Sequence, residues 1–127
     1  MERSIISTKN APAAIGPYVQ ANRVGDFIFT SGQIPLDPET GVITAVTFED
    51  QAVRVFKNLQ AVLEAAGSGL DKVIKTTVYL TDIADFSKMN DIYSEFFKGD
   101  MLPSRTAIVV SHLPKDVLVE AEVIAVV

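Results

Sequence analysis

Apolar positions along this chain follow two rhythms, alternation at every second residue and recurrence at every third or fourth, and the changes between them mark its elements. In "YVQANRVGDFIFTSGQI", two short runs rich in Val, Ile and Phe flank Gly25-Asp26, a pattern that predicts a β-hairpin. The next stretch, "PLDPETG" at residues 35 to 41, gathers residues that fix φ, bond their own backbone or permit φ > 0, so it reads as a loop. Phe48, Ala52, Val55, Phe56, Leu59, Val62, Leu63 and Ala66 then recur at helical spacing, with Thr47 placed to cap the start and Gly67 to end it. "KVIKTTVYLT", residues 72 to 81, alternates and is β-branched, as a strand is. Phe86, Met89, Asn90, Tyr93, Phe96 and Phe97 mark a second helix, capped by Asp82 or Asp85 and ending at Gly99. Two closing strands, Arg105 to Ser111 and Val117 to Val127, flank "HLPKD", whose Pro114 suits a turn, and they are predicted to pair antiparallel. A further strand fits near Ser4 to Ser7.

The order β-β-α-β-α-β-β, with no repeat or low-complexity tract, predicts an α+β fold in a single domain spanning residues 1–127. Helices on one face of a sheet leave its other face bare. The last strand's Val119, Ala121, Val123, Ala125 and Val127 are not polar, and burying such a row stabilises by roughly 25 cal/mol per Å2 removed from water. With 48% hydrophobic residues in a chain of 127, the expectation is an oligomer.

Charge narrows the partners. Sixteen acidic residues against eleven Lys and Arg give a net charge of -5, which argues against a large phosphate-binding surface and hence against nucleic acid. There is no cysteine, so disulfides, thiolate nucleophiles, Cys-based zinc sites and iron–sulfur clusters are excluded. "MERSIISTKN" lacks the apolar core of a signal peptide, and no run approaches about 18 uninterrupted apolar residues, so a cytoplasmic, non-membrane protein is expected.

Few residues are equipped for chemistry. His112 is the single histidine, which rules out a multi-histidine metal site and leaves it as a solvated loop residue. "GSGLDK" does not have the spacing of a phosphate-cradling loop. The charges that stand out are Arg105, at the mouth of an apolar run, and Glu120 and Glu122, inside "VEAEV". Buried unpaired ions cost several kcal/mol, so each needs a partner, a ligand or water. One reading is a structural salt bridge within an interface. The other is a site, in which Arg105 grips a substrate carboxylate bidentately while an acid orients a water or takes its proton. If Ser111 pairs with Asp116, Arg105 faces Glu122 and Ala107 faces Glu120; if Ser111 pairs with Val117, Arg105 faces away from both.

Arg105, Glu120 and Glu122 fall within the last two of five segments, "APAAIGPY" at 11 to 18, "SGQIP" at 31 to 35, "KTTVYLTDIADF" at 75 to 86, "PSR" at 103 to 105 and "LPKDVLVEAE" at 113 to 122. In that order and spacing they resemble the RidA or YjgF family of reactive-intermediate (enamine and imine) deaminases over nearly the whole chain. The resemblance implies a chorismate-mutase-like α+β fold, a mixed sheet with two helices on one face, and a homotrimer around a central barrel with three clefts between subunits. It implies hydrolysis of 2-imino and enamine acids such as 2-aminoacrylate and 2-iminobutanoate to 2-keto acids and ammonia, with no cofactor. Carried onto this chain, Arg105 holds the substrate carboxylate and Glu120 positions the attacking water. Tyr18 and Ser31 line the cleft, and Asn90 matches a further family position. Where many members have a cysteine two residues after the arginine, this chain has Ala107, so only a backbone contact remains there. Thr106 and Ala121 also depart from the usual residues, which bears on substrate preference more than on reaction type. A carboxylate-binding regulatory module and an endoribonuclease or translation inhibitor are the other activities connected with such chains.

Overall fold

The computed structural model describes residues 2–127. Six strands, β1 (Arg3–Ile6), β2 (Ala21–Val24), β3 (Phe27–Thr30), β4 (Val73–Leu80), β5 (Ser104–Val109) and β6 (Val119–Val126), and two helices, α1 (Phe48–Ala65) and α2 (Phe86–Phe96), build a two-layer α+β fold. The strands form one mixed sheet in the order β1-β2-β3-β6-β4-β5. Every neighbouring pair is antiparallel except β4 and β5, which run parallel because α2 carries the chain from the end of one back to the start of the other.

Local chemistry sets the boundaries. Gly25 takes φ 60 at the first turn position of the β2–β3 hairpin, a conformation glycine adopts without a Cβ clash. The Thr47 hydroxyl accepts the Asp50 N–H at 3.1 Å and caps α1. At the other end Gly67 (φ 81) closes the helix, with its N–H on the Glu64 carbonyl at 3.1 Å and the Ser68 N–H on the Leu63 carbonyl at 2.9 Å. Asp82 caps a short 3-10 turn, Ile83–Asp85, through the Ala84 N–H at 2.9 Å, and that turn leads into α2. The second helix stops at Phe96, short of Gly99, because Phe97 is already extended.

The core lies between the sheet and both helices. Val55, Phe56, Leu59, Val62 and Leu63 of α1 and Met89 of α2 are fully buried against Val78, Leu80, Val119, Ala121 and Ala125. Phe56 stacks edge-on to Tyr93 and Phe97, with ring centroids 5.8 Å apart in each case, so aromatic packing joins the two helices. One buried polar residue is part of this frame. Asn58 donates to the Ile34 and Leu36 carbonyls at 3.2 and 3.0 Å and ties α1 to the loop after β3.

Two sequence expectations are corrected here. The closing strands do not pair with each other: β4 lies between β5 and β6, and "HLPKD" is a crossing segment rather than a hairpin turn. Within it Lys115 and Asp116 take φ 57 and 56 around a 3-10 turn, Pro114–Asp116. The row Val119, Ala121, Val123 and Ala125 also faces the helices and not the bare side, while Val127, just past the strand, packs against the same core. The bare face instead carries Glu120, Glu122, Ile124 and Val126 of β6, Tyr79 and Thr77 of β4, and Phe27 and Phe29 of β3. Phe27 and Phe29 remain 47% and 44% exposed, so this face is apolar enough to seek cover.

Candidate functional site

Glu120 is where the sheet offers chemistry. It stands half-buried on the bare face of β6, just beyond the end of β3. There the chain leaves the ladder at Ser31-Gly32 and rejoins it at an isolated bridge in which Gln33 and Ala121 exchange backbone hydrogen bonds at 2.8 and 3.2 Å. That bridge brings Gly32 against the Glu120 side chain. A Cβ on Gly32 would sit 3.0 Å from both the carboxyl carbon and Oε2, so glycine here makes room for the acid. Burial pushes the Glu120 carboxyl above the ordinary carboxylate range, and the nearby charge of Glu122 pushes it further the same way.

Around this carboxyl lies a cleft of about 310 Å3, lined by Ile15, Tyr18, Ser31, Gly32, Ile34, Pro114 and Glu120. Its near wall is the segment before β2, pinned by Gln20: the amide Nε2 donates to the Thr8, Ala11 and Pro12 carbonyls at 3.0, 3.3 and 2.8 Å, and Oε1 accepts the Thr8 N–H at 2.7 Å. The Tyr18 hydroxyl accepts the Ile15 N–H at 3.1 Å, which leaves its own proton to offer. Ser31 behaves differently from its expected role, because its hydroxyl donates to the Val19 carbonyl at 2.6 Å. Only its lone pairs are left for a ligand. A larger hollow of about 770 Å3 lies on the other side of Tyr18, between β1 and this segment; its buried amide, Gln20, is fully engaged as described, and the Lys9 and Glu39 on its lining form no ion pair.

Arg105 is not in this cleft. On edge strand β5 it pairs with Thr76, which pairs in turn with Val123, so it belongs to the helix-side row, two strands away from β6 and on the opposite face from Glu120. Its guanidinium lies 4.8 Å from the Tyr93 ring centroid and 5.8 Å from that of Phe86, with Nη1 3.8 Å from the Met89 sulfur. It makes no salt bridge among the described residues, where the one ion pair joins Lys88 to Glu49 at 3.3 Å. The side chain is exposed and held by α2 as a flat, uncompensated cation. Ala107 sits two residues on, in the same row and against the core. Asn90, on α2, is half-buried, and His112 is exposed in the segment after β5.

One chain therefore unites Tyr18, Ser31 and Glu120 and keeps Arg105 and Ala107 apart from them. Sequence reading missed Ile15, Gly32, Ile34 and Pro114 as cleft residues, although all four fall within the segments that carried the resemblance. It also missed Tyr79, whose phenol donates to Glu122 Oε1 at 2.6 Å; strand alternation alone gives no sign of that diagonal bond. Among the described residues no group of three or more His, Asp or Glu is placed to hold a metal ion, and no helix is long and apolar enough to cross a membrane.

A two-layer α+β protein with a carboxyl in a shallow cleft and a separate free guanidinium is the class these features define. The chain matches the family model described as Endoribonuclease L-PSP over residues 8–127. It is 54% identical over 125 residues to a RutC family protein of Pyrococcus abyssi, covering 98% of each chain. It is 46% identical over 126 residues to an Escherichia coli K12 protein that carries the provisional name reactive intermediate deaminase TdcF, covering 98% of this chain and 97% of that one. The crystal structure of Escherichia coli TdcF with bound serine superposes with a TM-score of 0.93 at 45% identity, covering 98% of both chains. The chain belongs to the RidA/YjgF family, and its mixed sheet and two helices match that family's structures.

Proposed function

We propose that this protein hydrolyses 2-imino and enamine acids to 2-keto acids and ammonia, working as a homotrimer whose sheets enclose a central barrel. The observation that carries the reading is the split of the charges: a cleft with Glu120 and no cation, and an unpaired Arg105 on the far edge and other face of the same sheet. A second copy brings its Arg105 to the mouth of the first copy's cleft. The exposed Phe27 and Phe29 and the half-buried Ile124 and Val126 supply the apolar area for that contact.

In the joined site the guanidinium holds the substrate carboxylate through two parallel N–H donors. Ionised Glu120 orients a water toward the C=N carbon and accepts its proton as the C–O bond forms, while the C=N π electrons pass to nitrogen, which is protonated. Collapse of the carbinolamine forms C=O and expels ammonia. Tyr18 donates to the developing oxygen or to the water, Ser31 accepts from either, and Ala107 offers backbone where many relatives have a thiol. Substrate and product are small acids, and the scheme needs neither cofactor nor nucleic acid. The net charge of -5 and the single exposed His112 do not favour the phosphodiester chemistry that the family's L-PSP description names.

The direct test generates 2-iminobutanoate with a threonine dehydratase and follows keto-acid release. Catalytic amounts of the protein are expected to accelerate release several-fold over spontaneous hydrolysis. Acceleration only at stoichiometric amounts, or none with a bound carboxylate still detectable, would make it a binding module.

Gly32→Ala gives a second check within one chain. The backbone tolerates alanine, since Gly32 does not need positive φ, but the new methyl falls 3.0 Å from the carboxylate. The Glu120 carboxyl must give by a few tenths of an ångström, and turnover is expected to fall several-fold, up to roughly 10-fold, with the fold intact, because a displacement of about 1 Å costs on the order of 100-fold. Turnover at the wild-type rate would show that the position of Glu120 does not matter.

A further inference from the structure

We infer that Tyr79 is a positioning residue that sorts the two carboxylates of the bare face, keeping Glu122 as the fixed anion and leaving Glu120 to carry and release the proton. The inference deepens the deaminase reading and rests on it for the role of Glu120. The β4–β6 register sets Tyr79 directly opposite Glu120 and Thr77 opposite Glu122. Yet the phenol does not serve its direct neighbour. It runs diagonally to Glu122 Oε1 at 2.6 Å, the length of a charge-assisted O–H to carboxylate bond.

The result is one donor for two acids. Glu122 receives it, and the Glu120 carboxyl accepts no hydrogen bond from any described residue. Two carboxylates two positions apart on one strand face repel, so on acidification one of them takes the first proton. A donor bond favours the ionised form of whichever acid it reaches, so that proton goes to Glu120. Burial acts in the same direction on Glu120. The phenol is itself a dependable donor, since its bond to Glu122, with burial and the Glu122 charge behind it, pushes it up to about 12.

No other group on this face does the sorting. Lys75, the charged residue of β4, shares a hollow of about 280 Å3 with Glu122, but its ammonium bonds Thr106 Oγ1 at 3.0 Å on the β5 side and makes no ion pair with that acid. From β3 the facing residues are Phe27 and Phe29. Tyr18 approaches Glu120 across the cleft, and Arg3 lies on the far edge strand, β1.

The consequence is testable because the phenol ring is not what matters. Tyr79→Phe keeps the ring and removes the donor. The bond that sets the two carboxylates apart is then gone, and Glu120 is expected to release its proton at lower pH. The experiment follows Glu120 by carbon NMR of carboxyl-labelled protein, assigned with Glu120→Gln, beside the pH profile of kcat/KM for 2-iminobutanoate. Tyr79→Phe and Glu122→Gln are each expected to lower the Glu120 midpoint and the acid limb by about half a pH unit or more. The double variant is expected to match Glu122→Gln alone, since the phenol acts only through Glu122. A midpoint that stays or rises in Tyr79→Phe, or two shifts that add, overturns the inference. So does an unmoved midpoint in Glu122→Gln, which decides the matter even where Tyr79→Phe folds poorly. Absence of turnover in the wild type would instead remove the deaminase reading, and the NMR titration would still decide whether Tyr79 sorts the pair.

Discussion

Arg105→Ala is expected to lower kcat/KM for 2-iminobutanoate by roughly 100- to 1,000-fold, the scale of two charge-assisted hydrogen bonds lost from a bound carboxylate. The protein itself should barely notice. Arg105 is exposed, makes no salt bridge among the described residues, and touches its own chain through Tyr93, Phe86 and the Met89 sulfur, so thermal unfolding and assembly should stay close to wild type. Arg105→Lys tests which property matters. A lysine keeps the charge but loses the planar fork and the stacking on Tyr93, and a loss of roughly tenfold or more is expected. Turnover by Arg105→Ala within a few-fold of wild type would take the guanidinium out of the mechanism.

What the sequence made legible was local. Thr47 and Gly67 mark the ends of α1 because a capping hydroxyl and a left-handed glycine act within one turn of the helix. Gly25-Asp26 marks its hairpin for the same reason, and a short N-terminal strand forms close to where one was expected, at Arg3–Ile6, although its pairing with β2 was not foreseen. The partner of each strand was not legible. A five-residue connection between two apolar runs looks like a hairpin, but β5 is the parallel end of a β–α–β unit through α2, which puts it on one side of β4 and leaves β6 the other. Neither register weighed from the sequence was available to strands that never touch. The outcome that Arg105 points away from both glutamates emerged all the same, by a different route.

The facing of β6 failed for a related reason. Val119, Ala121 and Val123 alternate with Glu120, Glu122 and Ile124, and both sets contain apolar residues, so composition could not say which row meets the helices. Once the row is known, the carboxylates fall on the bare side and the site becomes visible. Its residues Tyr18, Ser31 and Glu120 lie far apart in sequence and meet because the Gln33–Ala121 bridge closes the end of β3 onto β6. The resemblance had supplied those residues, but nothing in the pattern of one chain could show that Arg105 would be missing from their company.

That separation makes a mixing experiment decisive for the proposal that subunits share the site. Glu120→Gln and Arg105→Ala subunits are each expected to be nearly inactive as pure assemblies, because every site lacks one of its two charged groups. Unfolding them together and refolding at equal amounts forms rings that contain both. If each cleft takes its carboxylate from one subunit and its guanidinium from the next, every mixed ring of three has a single boundary where both groups are native. About three quarters of random trimers are mixed and each restores about one site in three, so recovery should approach one quarter of wild-type activity. A site built within one chain would recover nothing, since every subunit carries one of the two lesions. The register already places Arg105 and Glu120 on opposite faces with β4 between them, so the guanidinium can reach that acid only from another copy.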